Sequence, residues 1–127
     1  MRALLVRYPW IDKILDGEKT WEIRGSRTTV GGTVGLVPSG SGTVVGVCDV
    51  VDCIGPLTPE VFRKNANKAG MKSSEATLGH YRQTYAWVLP KPPYLQRPVP
   101  YEHPHGAVIW VQLDDKIERK ILKQLAH

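Results

Sequence analysis

The sequence PWIDKILDGEKTWEIR at residues 9–24 predicts a short helix, a sharp turn and a strand in immediate succession. Proline suits the first position of a helix because its missing N–H group would have no partner there. Four apolar residues then form one stripe along two helical turns: Trp10, Ile11, Ile14 and Leu15. Gly17 is the residue type expected just past a helix end, where a left-handed backbone costs glycine little. We therefore predict a helix that begins at Pro9 and stops at Gly17, followed by a strand from Thr20 to Arg24.

Three charged residues converge beside this turn. Side chains of a strand alternate between its faces, so Glu22 and Arg24 share one face while Trp21 and Ile23 share the other. Lys19 lies at the junction of turn and strand, where it could lean toward the charged face. This arrangement suits an anionic ligand or one with several hydrogen-bonding groups, because arginine presents a planar fork and lysine a point charge. A surface salt bridge among the three side chains is the alternative.

Length and composition predict one soluble domain. The 127 residues are enough for a core without disulfides or metal, and no apolar run approaches the roughly 20 residues that a membrane span needs. The first apolar stretch is too short for a signal peptide, so a cytoplasmic protein is expected. The net charge of +5 favours polyanionic partners. Cys48 and Cys53 would lie roughly 16 Å apart on one strand, so both are expected to be reduced packing residues.

The rest of the chain predicts strands joined by turns and short helices. An SGSG turn at 39–42 joins the strand Thr33–Pro38 to a long strand as an antiparallel hairpin. Thr58 suits an N-cap, and Pro59 suits a first helical residue. Prolines between Pro90 and Pro104 restrict that segment to an edge strand or an extended loop. The further predicted strands are 3–6, 43–54, 85–89, 94–97 and 106–113, and the further helices are 75–81 and 114–125.

Other polar groups are weaker candidates for a site. The segment Arg63–Lys72 holds four cations and no acid, so it could follow a phosphate backbone or simply face solvent. Asp49 and Asp52 fall on opposite faces of their predicted strand, which argues against a catalytic pair. His103 and His105 would point the same way in an extended segment, but a third spaced ligand is missing. We therefore predict neither a metal nor a cofactor.

The stretch DGEKTWEIR resembles the G-x-K-x-x-E-x-R signature of ASCH domains, a branch of the PUA-like superfamily. An apolar first strand and a Pro-Trp helix precede the motif, and a Gly-rich link leads to the strand Val34–Pro38, as in that family. The strand Val44–Ile54 follows, and a final strand Gly106–Leu113 would close a barrel. The resemblance implies an α+β fold, a small PUA-like antiparallel β-barrel flanked by short helices. It divides the chain into an ASCH domain at 1–114 and a basic amphipathic helix at 115–127.

The resemblance also implies a nucleic-acid role, principally RNA binding, with a nucleotide cleft beside the motif. In such a binding module Lys19 and Arg24 would hold phosphate, and Glu22 would accept hydrogen bonds from a base edge or a ribose hydroxyl. The residues expected to contact RNA are Trp10, Lys19, Arg24, Arg27, Tyr81, Arg82 and Tyr85. Single-stranded DNA or a nucleoside are alternative ligands, and no membrane partner is expected.

Some small ASCH-like proteins resemble metal-independent hydrolases, which gives an enzymatic alternative. In a ribonuclease, Lys19 would act as general base, Glu22 would share in proton transfer and Arg24 would stabilise negative charge. An amidohydrolase acting on an acylated cytidine nucleoside is a further alternative. The small amidohydrolase members have threonine where this chain has Glu22. This chain therefore lacks the hydroxyl nucleophile that their mechanism would use. Transcription-coactivator relatives imply a third possibility, a regulatory protein-interaction module.

Overall fold

The computed structural model describes residues 1–90 and 94–125, with the backbone alone at Tyr94. The strands are β1 (Arg2–Val6), β2 (Trp21–Arg24), β3 (Gly32–Pro38), β4 (Thr43–Val50), β5 (Asp52–Ile54), β6 (Tyr85–Val88), β7 (Tyr94–Pro100) and β8 (Trp110–Gln112). The helices are α1 (Trp10–Leu15), α2 (Pro59–Lys64) and α3 (Asp115–Leu125), and one turn of 3-10 helix covers Ser73–Glu75.

The strands form a five-stranded sheet in the order β7-β4-β3-β1-β8 and a three-stranded sheet in the order β2-β6-β5. β1 and β3 run parallel, and the other paired strands run antiparallel. In the smaller sheet Glu22 pairs with Trp87 and Arg24 with Tyr85. This mixture of sheets and short helices confirms the predicted α+β class. Across the described residues the two sheets keep separate hydrogen-bond ladders, and β8 pairs with β1 at one edge.

Apolar side chains cover both faces of the five-stranded sheet. Leu4 and Val6 of β1 belong to a cluster that includes buried residues of α1 and β6. Ala3 and Leu5 point to the opposite face and belong to a cluster with Ile121 of α3. A third cluster packs α2 against the three-stranded sheet. Hence α3 covers one face of the larger sheet, while α1 and the smaller sheet cover the other.

The local signals around both short helices are confirmed. α1 starts one residue after Pro9, and its apolar stripe is buried at Ile11, Ile14 and Leu15. Gly17 has a φ of 85°, the left-handed conformation expected beyond the helix. The α2 helix begins at Pro59, and the cap residue Thr58 accepts a hydrogen bond from the amide of Val61 at 3.2 Å. The antiparallel hairpin of β3 and β4 is also as predicted.

The predicted continuous strand 43–54 is wrong, because the chain leaves one sheet for the other at Val51. This residue is 60% exposed, and its amide donates to the carbonyl oxygen of Val88 at 3.0 Å. β4 therefore ends in the larger sheet, and β5 starts in the smaller one. Cys48 and Cys53 fall on these separate strands, and both are free thiols as predicted. Burial raises the pKa of the Cys48 thiol to about 12.

Two other predicted elements differ from the structure: one helix is absent, and one strand is shorter than expected. The helix predicted at 75–81 is absent from the described structure, where the single 3-10 turn gives way to bends and Gly79 adopts a φ of 122°. The strand predicted at 106–113 starts only at Trp110, after a turn in which Gly106 has a φ of 83° and Val108 is exposed. The φ of Gly79 lies outside the helical region, and the φ of Gly106 is that of a turn, which delays the start of the last strand.

The strand β7 and the helix α3 lie where the sequence predicts a strand and a helix. β7 is an edge strand, as its prolines require. Two prolines of the segment predicted as an edge strand or extended loop, Pro92 and Pro93, lie outside the described residues. The carboxylate of Asp114 accepts a hydrogen bond from the amide of Ile117 at 2.8 Å, which caps α3. Residues 126 and 127 of the predicted terminal segment 115–127 are outside the described residues. No described helix is long and apolar enough to cross a membrane.

Candidate functional site

A cavity of about 720 Å³ lies beside β2, and its buried polar lining comes from Lys19, Glu22 and Thr84. Lys19 is 2% exposed and Glu22 is 5% exposed, and Arg24 lies next to them. Aromatic rings line the same cavity, among them Trp87, which the sequence did not single out. The site residues predicted from the sequence that the structure brings together here are Trp10, Lys19, Glu22, Arg24 and Tyr81.

Lys19 is held by oxygens of the protein itself. Its Nζ donates to the carbonyl oxygens of Trp21 at 2.6 Å and Ala69 at 2.8 Å, and lies 3.7 Å from Oε1 of Glu22. The contacts with the two carbonyl oxygens are hydrogen bonds, whereas the 3.7 Å contact with Glu22 is an ion pair too long for one. The same Nζ lies 5.0 Å from the centroid of the Trp10 ring. Burial lowers the pKa of Lys19 from 10.5 to about 8, although the Glu22 carboxylate acts in the opposite direction. Lys19 therefore links β2 to the loop after α2 and lies beside Glu22.

The loop that follows α2 supplies several of the oxygens around the motif. The carbonyl oxygen of Lys68 accepts hydrogen bonds from the amides of Thr20 and Trp21 at 2.8 and 2.9 Å. The carbonyl oxygen of Gly70 accepts one from Nζ of Lys13 at 2.6 Å. The segment predicted as a basic surface therefore contributes its backbone to the motif, while its four basic side chains face solvent.

Glu22 and Arg24 form the second, shorter ion pair of the site. Nη2 of Arg24 donates to Oε2 of Glu22 at 3.0 Å and to the carbonyl oxygen of Leu5 at 2.7 Å. Both of these hydrogen bonds use Nη2, so Nε and Nη1 of Arg24 are without a partner among the described residues. The alternative of a salt bridge among these side chains is therefore confirmed, but the ion pairs are buried in the cavity wall and do not lie on the surface.

Aromatic side chains frame the charged motif. Trp87 stacks on Trp110, with ring centroids 5.7 Å apart and planes 11° from parallel, and its Nε1 donates to the carbonyl oxygen of Ser26 at 2.9 Å. The Tyr81 ring is 44% exposed and lies against Gly25, where an added Cβ would be 2.5 Å from Cδ1 of the ring. A side chain at Gly25 would therefore displace Tyr81 from the cavity.

Sequence reasoning missed several residues that line the cavity. Arg7 and Ser39 come from the ends of β1 and β3, and His80 precedes Tyr81 in the bends after the 3-10 turn. Val108 and Ile109 line it as well and are exposed, at 75% and 39%. No local motif marks Arg7, Ser39, Val108 or Ile109, because they reach the cavity through the pairing of β1 with β3 and β8. The basic character of Arg7 was the one signal available.

Three residues predicted to bind RNA lie outside the cavity lining. The guanidinium of Arg27 donates to the carbonyl oxygen of Gly55 at 2.7 Å and lies over the ring of Tyr85, 5.3 Å from its centroid. Tyr85 is only 8% exposed and belongs to the core. Arg82 is exposed and is not part of the lining. Contacts of these residues with RNA stay predictions, and they would have to be made outside the cavity.

The polar residues considered for metal binding or catalysis lie elsewhere. In residues 1–90 and 94–125, no three His, Cys, Asp or Glu side chains come close enough to hold a metal ion. The His103 ring contacts the hydroxyl of Tyr101 at 2.9 Å and the carbonyl oxygen of Ala107 at 3.0 Å. Asp49 is exposed and accepts a hydrogen bond from the hydroxyl of Thr33 at 2.7 Å, which is a structural role.

This fold and this cavity define a PUA-like domain whose lysine, glutamate and arginine motif lies inside the pocket. The family model described as ASCH domain matches residues 4–98, so the chain belongs to the ASCH domain family. ASCH domains are generally nucleic-acid-binding. The matched residues contain the whole motif and most of the cavity lining, whereas α3 lies beyond them.

Solved structures with the same fold include ASCH from Zymomonas mobilis and two mutant proteins of it. The first has a TM-score of 0.72 at 12% sequence identity, and the match covers 96% of this chain and 93% of that chain. The mutant proteins give TM-scores of 0.71 and 0.70 at 12% identity, with 96% of this chain covered and 94% and 96% of theirs. No curated protein matches the chain. At this identity the likeness is one of fold.

Proposed function

We propose that the cavity binds single-stranded RNA by enclosing one of its bases. The observation that carries the proposal is the placement of Glu22, a buried carboxylate that lies between Lys19 and Arg24 and lines a cavity of about 720 Å³ with aromatic residues in its wall. Proteins recognise unpaired RNA bases by stacking them on aromatic side chains and by hydrogen bonding to their edges. The lining of this cavity offers groups for both contacts.

The polar groups of the cavity match a base edge better than a phosphate. Glu22 accepts hydrogen bonds, and the Nε and Nη1 groups of Arg24 donate them, so donors and acceptors lie side by side as they do on a base. A phosphate against Glu22 would be repelled by the carboxylate. Lys19, expected from the resemblance to hold phosphate, is occupied by two carbonyl oxygens. The backbone phosphates would then lie at the rim, near Arg7.

A base in this cavity has to be unpaired. Glu22 is a buried part of the lining, and a stacked base pair presents neither its faces nor its Watson–Crick edge to such a group. The Tyr81 ring is 44% exposed and also lines the cavity, so we expect a base to stack on it. Stacking on aromatic rings is tolerant of sequence, so Glu22 and Arg24 would supply the preference among bases.

The contacts of Lys19 favour binding over cleavage. A general base needs a free lone pair within reach of the proton that it removes. Nζ of Lys19 instead donates to two buried carbonyl oxygens at 2.6 and 2.8 Å, and these oxygens stabilise the ammonium form. With the pKa lowered only to about 8, the side chain is mostly protonated at pH 7. We therefore expect RNA to be bound and released intact.

The test is a titration of end-labelled single-stranded RNA with purified protein in the presence of a chelator, read by fluorescence anisotropy and on a denaturing gel. Glu22→Gln keeps the shape of the side chain and removes its charge. A hydrogen bond to a charged group contributes about 1.5–3 kcal/mol, so the affinity should fall by roughly ten- to a hundredfold. The matched control is Glu60→Gln, the same change on an exposed first-turn residue of α2.

The same titration separates the alternative functions. Single-stranded RNA should bind more tightly than an RNA duplex, and a single-stranded DNA and a free nucleoside serve as competitors. Equal affinity of Glu22→Gln and Glu60→Gln for single-stranded RNA, with both proteins folded, would contradict the proposal. Cleavage products that appear with the wild type and vanish with Lys19→Ala would make the protein a metal-independent ribonuclease.

A further inference from the structure

Four basic side chains form a stripe along α3, which we call the α3 stripe: Lys116, Arg119, Lys120 and Lys123. All four are exposed. At 3.6 residues per turn they fall within an arc of about 100°, and at 1.5 Å per residue they extend over about 10 Å of helix. The helix thus carries four positive charges on one narrow face.

The opposite face of α3 is packed and holds the stripe in a fixed orientation. Ile121 is fully buried against the larger sheet, with Ile117 and Leu125 packed beside it. The side-chain amide of Gln124 accepts from the amide of Arg97 at 3.1 Å and donates to its carbonyl oxygen at 2.9 Å, which ties the helix to β7. Because its apolar face is covered, α3 cannot insert into a lipid surface as a free amphipathic helix does.

The acidic residues of α3 leave most of the stripe unopposed. Oε1 of Glu118 lies 2.8 Å from the amino group of Met1, on another side of the helix. Asp115 lies four residues before Arg119 and is therefore its neighbour on the helix surface. The three lysines of the stripe lie neither three nor four residues from a carboxylate of α3, and such a row of cations is complementary to a row of phosphates.

We propose that the α3 stripe is a second RNA contact that binds the phosphate backbone and is separate from the cavity. The three lysines without a neighbouring carboxylate can each pair with one phosphate of a single strand, so we expect about three phosphate contacts. The choice of RNA as the ligand rests on the proposed function, whereas the choice of the four basic residues rests only on their exposure and their position on α3. α3 packs on the sheet face of Ala3 and Leu5, opposite the face that packs on the cavity side. An RNA that contacts both surfaces must therefore pass around an edge of the five-stranded sheet.

The experiment compares a tetranucleotide with an RNA of about 16 nucleotides, a length at the upper end of single-domain sites. The test variant changes Lys116, Arg119, Lys120 and Lys123 to Gln. The matched control changes four exposed basic residues of the segment 63–72 to Gln: Arg63, Lys64, Lys68 and Lys72. Both variants thus lose three lysines and one arginine. Glutamine favours helix nearly as well as lysine does, and circular dichroism checks that both variants fold.

The expected result is a change in salt dependence for the longer RNA alone. Each phosphate contact contributes about 0.7 to the slope of log affinity against log salt for a single strand, so the removal of three such contacts should lower the slope by about 2. The control variant should change it by much less, and tetranucleotide binding should be unchanged in the stripe variant. A slope equal to that of the wild type, or equal slopes for the two variants, would overturn the proposal. Loss of tetranucleotide binding in Glu22→Gln reports on the cavity independently.

Discussion

Replacing Lys19 with methionine should destabilise the domain, because this buried lysine donates to two carbonyl oxygens and lies 3.7 Å from the carboxylate of Glu22. The change keeps an unbranched side chain and removes the ammonium from the carbonyl oxygens of Trp21 and Ala69 and from the carboxylate of Glu22. Leaving a buried polar group without a partner costs about 1–3 kcal/mol, and two carbonyl oxygens would lose their donor, whereas Glu22 keeps its ion pair with Arg24 at 3.0 Å. We expect the free energy of unfolding to fall by about 2–4 kcal/mol, because removing the desolvated ammonium offsets part of the loss.

Lys13→Met is the matched control, because Lys13 also donates to a carbonyl oxygen of the loop after α2. Its acceptor is Gly70, the residue that follows Ala69. Its Nζ donates to the carbonyl oxygen of Gly70 at 2.6 Å, but the contact is only partly buried. Water can replace a partner there, so the expected loss is about 1 kcal/mol. Urea unfolding at pH 7, followed by circular dichroism, measures both variants. If Lys19→Met is no less stable than Lys13→Met, the role of Lys19 as a link between β2 and the loop after α2 is refuted.

The pH dependence of stability gives an independent measure of the burial of Lys19. Its pKa is about 8 in the folded protein and ordinarily 10.5, so between these values the unfolded chain holds a proton that the folded chain has released. The free energy of unfolding should therefore rise with pH through this window, by up to about 3 kcal/mol. The measurement is the difference between wild type and Lys19→Met from about pH 7 to about pH 10.5, because other titrating groups cancel. A difference that is flat across this range would contradict the lowered pKa.

Three further changes test separate parts of the structure. Gly25→Ala should displace the ring of Tyr81, which would meet the new Cβ at 2.5 Å, and should weaken RNA binding with little loss of stability. Thr58→Ala should lower the free energy of unfolding by about 1 kcal/mol, because the hydroxyl caps α2. In the native protein at pH 7.5, a thiol reagent should label Cys53 and spare Cys48, which is buried and has its pKa raised to about 12.

Controls for these changes come from the same chain. Gly31→Ala adds a Cβ whose nearest neighbour is 4.0 Å away, so it should leave both RNA binding and stability unchanged. A Cys53→Ser variant should show no fast-reacting thiol until urea unfolds it. Equal effects of Gly25→Ala and Gly31→Ala on RNA affinity, or fast labelling of Cys53→Ser, would show that the packing described for Tyr81 or Cys48 is wrong.

Local signals in the sequence predicted the parts of the fold whose causes are local. The apolar stripe, Gly17 and the Thr58-Pro59 pair predicted where both short helices begin or end, because caps and turns depend on neighbouring residues. The break at Val51 was not predictable. Val51 continues an apolar run, and the change of sheet depends on its hydrogen bond to Val88, which lies far along the chain.

The site was predictable in its residues and not in its geometry. The spacing of Lys19, Glu22 and Arg24 placed them beside one turn, and the structure brings them together. Their burial depends on oxygens from distant segments, Ala69 for the lysine and Leu5 for the arginine. Sequence reasoning therefore assigned Lys19 to phosphate, whereas the structure surrounds it with carbonyl oxygens. Partners 50 and 19 residues away leave no trace in the local pattern.

The most direct test of a base in the cavity is an NMR titration of the tryptophan side chains with a single-stranded tetranucleotide. Trp10 and Trp87 line the cavity, whereas Trp21 is buried in the cluster around α2 and serves as an internal reference. The indole N–H signals of Trp10 and Trp87 should shift in proportion to bound RNA, while that of Trp21 stays nearly constant. Saturable binding that leaves the Trp10 and Trp87 signals in place would show that RNA binds elsewhere, and the central proposal would be wrong.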